Sequence, residues 1–236
     1  MKVSVIVPAL DEAGCIGALV QETWAQAVTE VIVVDNGSTD DTAELARHAG
    51  ARVVAEPRRG YGYACAAGVA AVQDGEVLVF LDGDHSFLPG EMARLLEPIR
   101  AEHADLVLGS RVRGYIAPGS MPVRQRFGNW LAAYLIRRLY GLSITDLGPY
   151  RAIRRDQLAK LDMQERTFGW PIEMMIKAAR RRARIVEVPI SYYARRAGHS
   201  KVSGTLRGTI LAGYHILSIT ARYAAAELPL PLSKID

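Results

Sequence analysis

The run from Glu76 to His85 is an apolar segment that ends in two carboxylates, Asp82 and Asp84, separated by Gly83. In an extended backbone, residues two apart point to the same side, so both carboxylates face one space at the end of a buried strand. Hard oxygen ligands of this kind suit Mg²⁺ or Mn²⁺ carrying a diphosphate. The pattern indicates chemistry on a nucleotide diphosphate, although Asp-Gly-Asp is also a good turn sequence and fits a solvated strand end.

Strand and helix signals alternate around this segment. The predicted strands are Val3–Val7, Glu30–Asp35, Ala51–Ala55, Glu76–Leu81, Asp105–Leu108 and Ile185–Ile190. The predicted helices are Asp11–Ala27, a segment from Thr39 or Asp40 to Ala49, Tyr61–Gln73, Met92–His103, Phe127–Tyr140 and a later helix containing Met174, Met175 and Ile176. The alternation predicts an α/β fold with a mostly parallel sheet, in which ligands bind at the carboxyl ends of strands. Polar clusters at 8–12, 35–38 and 82–84 all follow strands, so we expect them on one edge.

The net charge of +4 conceals an asymmetry along the chain. Residues 1–105 contain 7 Lys and Arg against 17 Asp and Glu, whereas residues 106–236 contain 22 against 8. From Arg111 to Arg155 there are nine arginines and one acid, Asp146. Solvated helix faces account for some of these arginines, and the remainder favour binding of phosphates, an acidic membrane surface or nucleic acid. Arginine forks match phosphate oxygens well.

Composition and missing motifs narrow the class of protein. With 236 residues, half of them hydrophobic, the chain fits one large ordered α/β domain. Cys15 and Cys65 lack zinc or disulfide spacing and indicate reduced thiols in a cytoplasmic chain. The N-terminus is typical of a first strand rather than a signal peptide, and no apolar run is long enough to span a bilayer.

Other nucleotide-binding classes fit less well. The first strand-to-helix turn lacks G-x-G-x-x-G, which disfavours a dinucleotide site, and the absence of G-x-x-x-x-G-K-[ST] excludes a P-loop. A nucleotidyltransferase would need a lysine in the loop at 9–17, which has none. Asp35, at the end of the second predicted strand, suits a ribose hydroxyl or a base N–H.

Six segments together resemble family-two glycosyltransferases with the GT-A fold. They are VIVPALDE (5–12), VVDNGSTDDT (33–42), FLDGD (80–84), GSR (109–111), DLGPYR (146–151) and RRAGHSK (195–201). The last three are similar to the branch that makes polyprenyl-phosphate or dolichyl-phosphate mannose or glucose. The resemblance covers roughly residues 2–205. It implies one catalytic domain over 1–205, followed at 206–236 by an amphipathic helix and tail.

The resemblance also implies a role for each matched residue. Donor-binding residues would be Pro8, Leu10, Glu12, Asp35, Asp82, Gly83, Arg195, Arg196 and Lys201. The last three would belong to a loop that closes over the diphosphate. Asp82 and Asp84 would hold the metal, with Asp84 the direct ligand. His85 stands where Gln is frequent, and is either a third metal ligand or a polar loop histidine.

On the acceptor side, the resemblance implies that Arg111 faces the acceptor phosphate, joined by Arg124 or Arg126, with Arg151 supporting the same pocket. A hydroxyl acceptor needs a general base, for which Asp146 is the obvious residue. A phosphate monoester is already largely ionised and needs positive charge instead. The arginine excess favours the phosphate acceptor, in which case Asp146 orients Arg151 or another arginine.

We therefore predict a cytoplasmic, inverting, Mg²⁺- or Mn²⁺-dependent glycosyltransferase. It would move a hexose from a donor such as GDP-mannose or UDP-glucose to a polyprenyl phosphate, where metal and guanidinium charge stabilise the leaving diphosphate. The alternatives are transfer to a soluble or lipid hydroxyl, and a non-catalytic sugar-nucleotide-binding protein. Nucleic-acid binding would leave the acidic clusters unexplained. The apolar segment 209–226 fits peripheral attachment to a membrane, or packing on the domain or within a homodimer.

Overall fold

Strand β1 (Val3–Ala9) is buried on both of its faces. Val5 and Val7 belong to one apolar cluster, and Ile6 belongs to another. Successive side chains of a strand point to opposite faces, so a strand buried on both sides requires helices on both sides of the sheet. The computed structural model describes residues 1–197.

The remaining elements of residues 1–197 follow in alternation. The strands are β2 (Glu30–Asp35), β3 (Arg52–Ala55), β4 (Val77–Phe80), β5 (Leu106–Ile116), β6 (Arg151–Arg154) and β7 (Ile185–Tyr192). The helices are α1 (Ile16–Trp24), α2 (Thr42–His48), α3 (Tyr61–Ala71), α4 (Met92–Arg100), α5 (Val123–Tyr140), α6 (Arg155–Leu161) and α7 (Trp170–Arg180). Within this described part of the chain, no helix is both long and apolar enough to cross a membrane.

The strands form one sheet in the order β3-β2-β1-β4-β6-β5-β7. All neighbours are parallel except β6, which runs antiparallel to both β4 and β5. The predicted α/β fold with a mostly parallel sheet is confirmed. Residues of α1, α2 and α4 cover one face of the sheet, and residues of α3, α5, α6 and α7 cover the other.

The structure departs from the local predictions at several element boundaries. Helix α1 begins at Ile16 rather than Asp11, because Asp11 has a φ of 51° and the loop after it bonds to the next loop instead of continuing a helix. Strand β5 continues to Ile116 rather than ending at Leu108, because its pairing with β7 resumes after a register shift. Strand β6 was not predicted from the sequence, since its four residues carry no strong alternation.

Candidate active site

The carboxyl ends of β1, β2 and β4 meet at one edge, as the three polar clusters predict. Ala9 is the register partner of Asp35, and the amide of Asn36 donates to the Ala9 carbonyl at 2.9 Å. The amide of Gly83 donates to the Pro8 carbonyl at 3.3 Å. A Cβ atom on Gly83 would lie 3.1 Å from that carbonyl, a tight contact, so glycine lets the acidic loop approach β1 closely.

Hydrogen bonds between the loops after β1 and β2 fix the residues that the sequence predicts to bind the donor. The amide of Asp11 donates to Ser38 Oγ at 2.9 Å, and the amide of Glu12 donates to Thr42 Oγ1 at 2.7 Å. Asp35 accepts from the Ser38 amide at 3.0 Å. Pro8, Leu10 and Asp35 are half-buried and Glu12 is buried, and all four belong to the ends of β1 and β2 or to the loops that follow them.

Asn36 organises the same region, although the sequence did not single it out. Its Nδ2 donates to the carbonyls of Glu56 and Arg58, both at 2.8 Å, and its Oδ1 accepts from the Gly60 amide at 2.9 Å. The loop after β3 is thereby fixed to the end of β2 just before α3 begins. Its place in the polar cluster at 35–38 was the available signal.

Asp82 and Asp84 form a close pair of like charges. Burial, and then the charge of Asp84, raise the pKa of Asp82 to about 7. Its Oδ1 accepts a hydrogen bond of 3.1 Å from the hydroxyl of Tyr61, at the start of α3. Asp84 accepts from the amide of Ser86 at 3.0 Å. Burial and repulsion both disfavour the charged form of Asp82 in the absence of a cation, and a divalent cation would relieve both, so the donor set fits Mg²⁺ or Mn²⁺.

His85 is turned away from this pair and toward α1. Its φ is 58°, its side chain is fully buried, and its Nε2 lies 2.8 Å from Glu22 Oε2. Across residues 1–197, no three His, Cys, Asp or Glu side chains gather into a group that could hold a metal ion. The geometry favours the alternative of a histidine held within the loop over a third metal ligand.

A second centre is formed by Arg111 and Asp146. Asp146 accepts from the Arg111 backbone amide at 2.7 Å, from Nε at 2.8 Å and from Nη2 at 2.6 Å. Both side chains are nearly inaccessible, with exposures of 8% and 0%. Burial acts to raise the pKa of Asp146, but the charge and hydrogen bonds of Arg111 outweigh it and the pKa is lowered.

This pairing argues against Asp146 as a general base and for its predicted alternative, the orientation of an arginine. The arginine is Arg111 rather than Arg151. Glu187 on β7, which the sequence did not reveal, holds the loop by accepting from the amides of Thr145 at 2.7 Å and Asp146 at 3.0 Å.

Arg151 is fully buried, which fits the predicted supporting role and not direct contact with a substrate. Its Nη1 donates to the Pro171 carbonyl at 2.8 Å, and its Nη2 donates to the Gly148 carbonyl. Burial lowers its pKa to about 10. Because its donors are occupied by main-chain carbonyls, Arg151 supports the pocket wall and does not present a guanidinium to a ligand.

The loop after β7 brings two predicted arginines to the donor side. Arg195 pairs with Glu12, and its Nε lies 3.5 Å from Asp84 Oδ2. Arg196 Nη1 lies 3.6 Å from Glu22 Oε1, on the carboxylate that also contacts His85. Lys201, together with the predicted element at 206–236, lies outside the described residues.

Arg124 and Arg126 are not joined to the buried arginine. Both are exposed in the first turn of α5, and within residues 1–197 no hydrogen bond or ion pair connects either to Arg111 or Asp146. Their part in binding an acceptor phosphate stays a prediction.

Comparison with known proteins identifies relatives along most of the chain. The sequence profile described as "Glycosyl transferase family 2" matches residues 4–162. An uncharacterized glycosyltransferase of Mycobacterium tuberculosis is 39% identical over 210 residues, covering 89% of this chain and 94% of its own. The undecaprenyl-phosphate mannosyltransferase of Micrococcus luteus is 32% identical, covering 98% of this chain and 100% of its own.

A solved structure has the same fold. Glucosyl-3-phosphoglycerate synthase from M. tuberculosis, in complex with Mn²⁺, UDP-glucose and phosphoglyceric acid, aligns with a TM-score of 0.77. The two are 25% identical, and the alignment covers 98% of this chain and 81% of that one. The match supports the predicted GT-A architecture.

Proposed function

Because the chain belongs to glycosyl transferase family 2, we propose that it transfers a hexose, with inversion, from a nucleotide diphosphate sugar to a polyprenyl phosphate. The observation that carries this proposal is the position of Arg111. Its guanidinium is buried and fixed by Asp146 through Nε and Nη2, and its charge opposes part of the rise in the pKa of Asp82. A guanidinium thus adjoins the acidic pair.

On the donor side, this chain's residues would bind the nucleotide and its diphosphate. The half-buried Asp35 and the buried Glu12 would contact the base and ribose. Asp82 and Asp84 would hold Mg²⁺ or Mn²⁺, which supplies positive charge to the leaving diphosphate. Arg195, already beside Asp84, adds a guanidinium where negative charge develops.

On the acceptor side, the chemistry of a phosphate monoester agrees with the groups available. Such an acceptor is an ionised nucleophile at neutral pH, so it requires a cation and no base. Arg111 supplies the cation, and its planar fork rests over the ring of Tyr192, with 5.2 Å between guanidinium carbon and ring centroid. The name of the Micrococcus luteus relative supports a polyprenyl phosphate.

A hydroxyl acceptor is the second candidate. It is favoured by the phosphoglyceric acid bound in the structurally similar synthase, an acceptor-sized molecule that also carries negative charge. Transfer to a hydroxyl would need a base, and both oxygens of Asp146 are taken by Arg111. The geometry therefore favours the lipid phosphate.

The test is a panel of UDP- and GDP-sugars with Mn²⁺ or Mg²⁺, each with a short polyprenyl phosphate, with the matching polyprenol, or with phosphoglycerate. We expect metal-dependent release of nucleoside diphosphate that rises with the lipid phosphate alone, and a glycolipid product of inverted configuration. Turnover with the polyprenol or with phosphoglycerate, and none with the lipid phosphate, would replace this proposal by the second candidate. No turnover of any donor would overturn both.

A further inference from the structure

Helix α5 carries a stripe of large apolar side chains on its outer surface. Val123, Phe127, Trp130 and Tyr134 are 81%, 60%, 58% and 45% exposed. The ring centroids of Phe127 and Trp130 are 5.8 Å apart, and those of Trp130 and Tyr134 are 5.9 Å apart. The aromatic rings therefore form one continuous surface, which we call the aromatic stripe (Val123, Phe127, Trp130 and Tyr134).

The aromatic stripe is not the side of α5 that packs on the domain. That side consists of Asn129, Ala132, Ala133 and Ile136, all buried. At roughly 100° per residue, these four lie opposite the stripe on the helix. The packing of α5 on the domain therefore does not use the aromatic stripe. About 11 Å of the helix, between positions 123 and 130, exposes apolar side chains to solvent.

Arginines border the aromatic stripe on both sides. At the same angular spacing, Arg126 and Arg137 lie along one edge, and Arg124 and Arg138 lie along the other. All four are exposed. No Asp or Glu occurs anywhere from residue 106 to residue 145, so α5 and its approaches carry unbalanced positive charge.

We propose that the aromatic stripe and its four arginines dock α5 on the surface of an anionic lipid bilayer. Aromatic rings seat at the headgroup level, and basic side chains beside them are attracted to anionic phosphates. The arrangement has the features of a helix that lies in the membrane plane, with its apolar side down and its charges at the rim.

The positive charge around the aromatic stripe argues against two other occupants, a second copy of the chain and the segment 198–236. In a symmetric dimer built on the stripe, the same patch faces itself, so the bordering arginines of the two copies would meet with no acid between them. The segment 198–236 contains four Lys and Arg and two Asp and Glu, so it too lacks the negative charge that α5 would require. An anionic membrane complements the patch directly.

The docking surface is linked to the arginine centre through one residue. Asn129 Oδ1 accepts from the Leu147 amide at 3.0 Å, and its Nδ2 donates to the Thr145 carbonyl at 3.4 Å. These bonds hold the loop that carries Asp146, the partner of Arg111. This inference rests on the proposed function insofar as the acceptor is a lipid. Docking would then bring the acceptor site to the surface where a polyprenyl phosphate resides.

The test measures binding of the full-length protein to vesicles without donor or acceptor. We expect cosedimentation with vesicles containing phosphatidylglycerol, weaker binding to pure phosphatidylcholine, and release at high salt. Phe127→Ser/Trp130→Ser should reduce binding about tenfold or more, because two interfacial rings are lost. Trp24→Ser/Leu45→Ser is the matched control, since those exposed residues lie on helices covering the opposite face of the sheet.

Further measurements distinguish a membrane from a second copy of the chain as the occupant, and distinguish membrane docking from the proposed transferase function. Brominated lipids should quench the fluorescence of Trp130, and Trp130→Phe should lose that quenching while still binding. Unchanged vesicle binding by Phe127→Ser/Trp130→Ser would overturn the inference, as would a wild-type dimer that this variant converts to monomer. Turnover of a short, water-soluble polyprenyl phosphate should survive in the variant. If such turnover is absent from the wild type while stripe-dependent vesicle binding persists, the proposed function fails and docking stands.

Discussion

At the scale of single residues, Asp146 and Asp82 differ in how the negative charge of each carboxylate is balanced by its neighbours. The charge of Asp146 is balanced by the guanidinium of Arg111, which bonds to both of its carboxylate oxygens. Asp82 has only partial compensation, from the Tyr61 hydroxyl and from more distant arginines, and its pKa is raised. The first carboxylate is therefore structural, and the second is available to a cation.

Replacing Asp84 tests the metal assignment. We expect Asp84→Ala to lower turnover at least about a hundredfold, because charge on the leaving diphosphate is no longer stabilised. The melting temperature should change little, since Asp84 is only half-buried. Asp74→Ala is the control, an exposed carboxylate paired with Lys2 at the far edge. Undiminished turnover in Asp84→Ala would refute the assignment.

The raised pKa of Asp82 predicts the pH dependence of metal binding. Below pH about 7 the carboxyl is protonated in the metal-free protein, and a metal must displace that proton. Affinity for Mn²⁺ should therefore fall as pH drops from about 8 to about 6, approaching tenfold per unit below the pKa. Titration calorimetry at several pH values measures this. Asp82→Asn should bind more weakly and lose the dependence, so a variant that kept the same slope would contradict the explanation.

At the scale of elements, close packing of helices on the sheet fixes the edge that carries the site. Helix α3 crosses β1 with Gly68 at the contact, where an added Cβ would overlap the side chains of Ile6 and Val34. The start of the same helix carries Tyr61, which bonds to Asp82. The position of α3 on the sheet therefore also sets the position of the Tyr61 hydroxyl that bonds to Asp82.

A matched pair of glycines tests this packing. Gly68→Ala should destabilise the protein by about 1–3 kcal/mol, because the methyl group has no room between helix and sheet. Gly128→Ala, within α5, meets open space and should stabilise it by about 1 kcal/mol through lower backbone entropy. Urea unfolding of both variants measures the difference. Similar changes in the two variants would show that the contact at Gly68 has no special role.

At the scale of the whole molecule, the charge asymmetry would separate the two sides of the proposed reaction. In that proposal the acidic first half supplies Asp35, Asp82 and Asp84 to the donor side, and the basic second half supplies Arg111 and α5 to the acceptor side. Strand β6 joins the halves by running antiparallel between β4 and β5. The acidic pair after β4 and the arginine of β5 are therefore separated by a single strand.

Donor binding should stabilise the whole domain in a metal-dependent manner. A nucleoside diphosphate at about a hundred times its Kd adds roughly 2.7 kcal/mol, which raises the melting temperature of a chain of this size by several degrees. We expect that rise for UDP or GDP with Mn²⁺, and only a small one with chelator. Differential scanning fluorimetry distinguishes the two bases directly. An equal rise with chelator would show that the diphosphate does not bind through a metal.

The alternation of strands and helices and the three polar clusters at strand ends could be predicted from the sequence. Those features follow from local periodicity and from the rule that parallel strands end on one edge. Tertiary structure alone decided that Asp146 pairs with Arg111, that His85 turns to Glu22, and that Arg151 is buried. The first two pairs join residues 35 and 63 positions apart. Such partners are set by which loops meet across the sheet, and no local pattern encodes that.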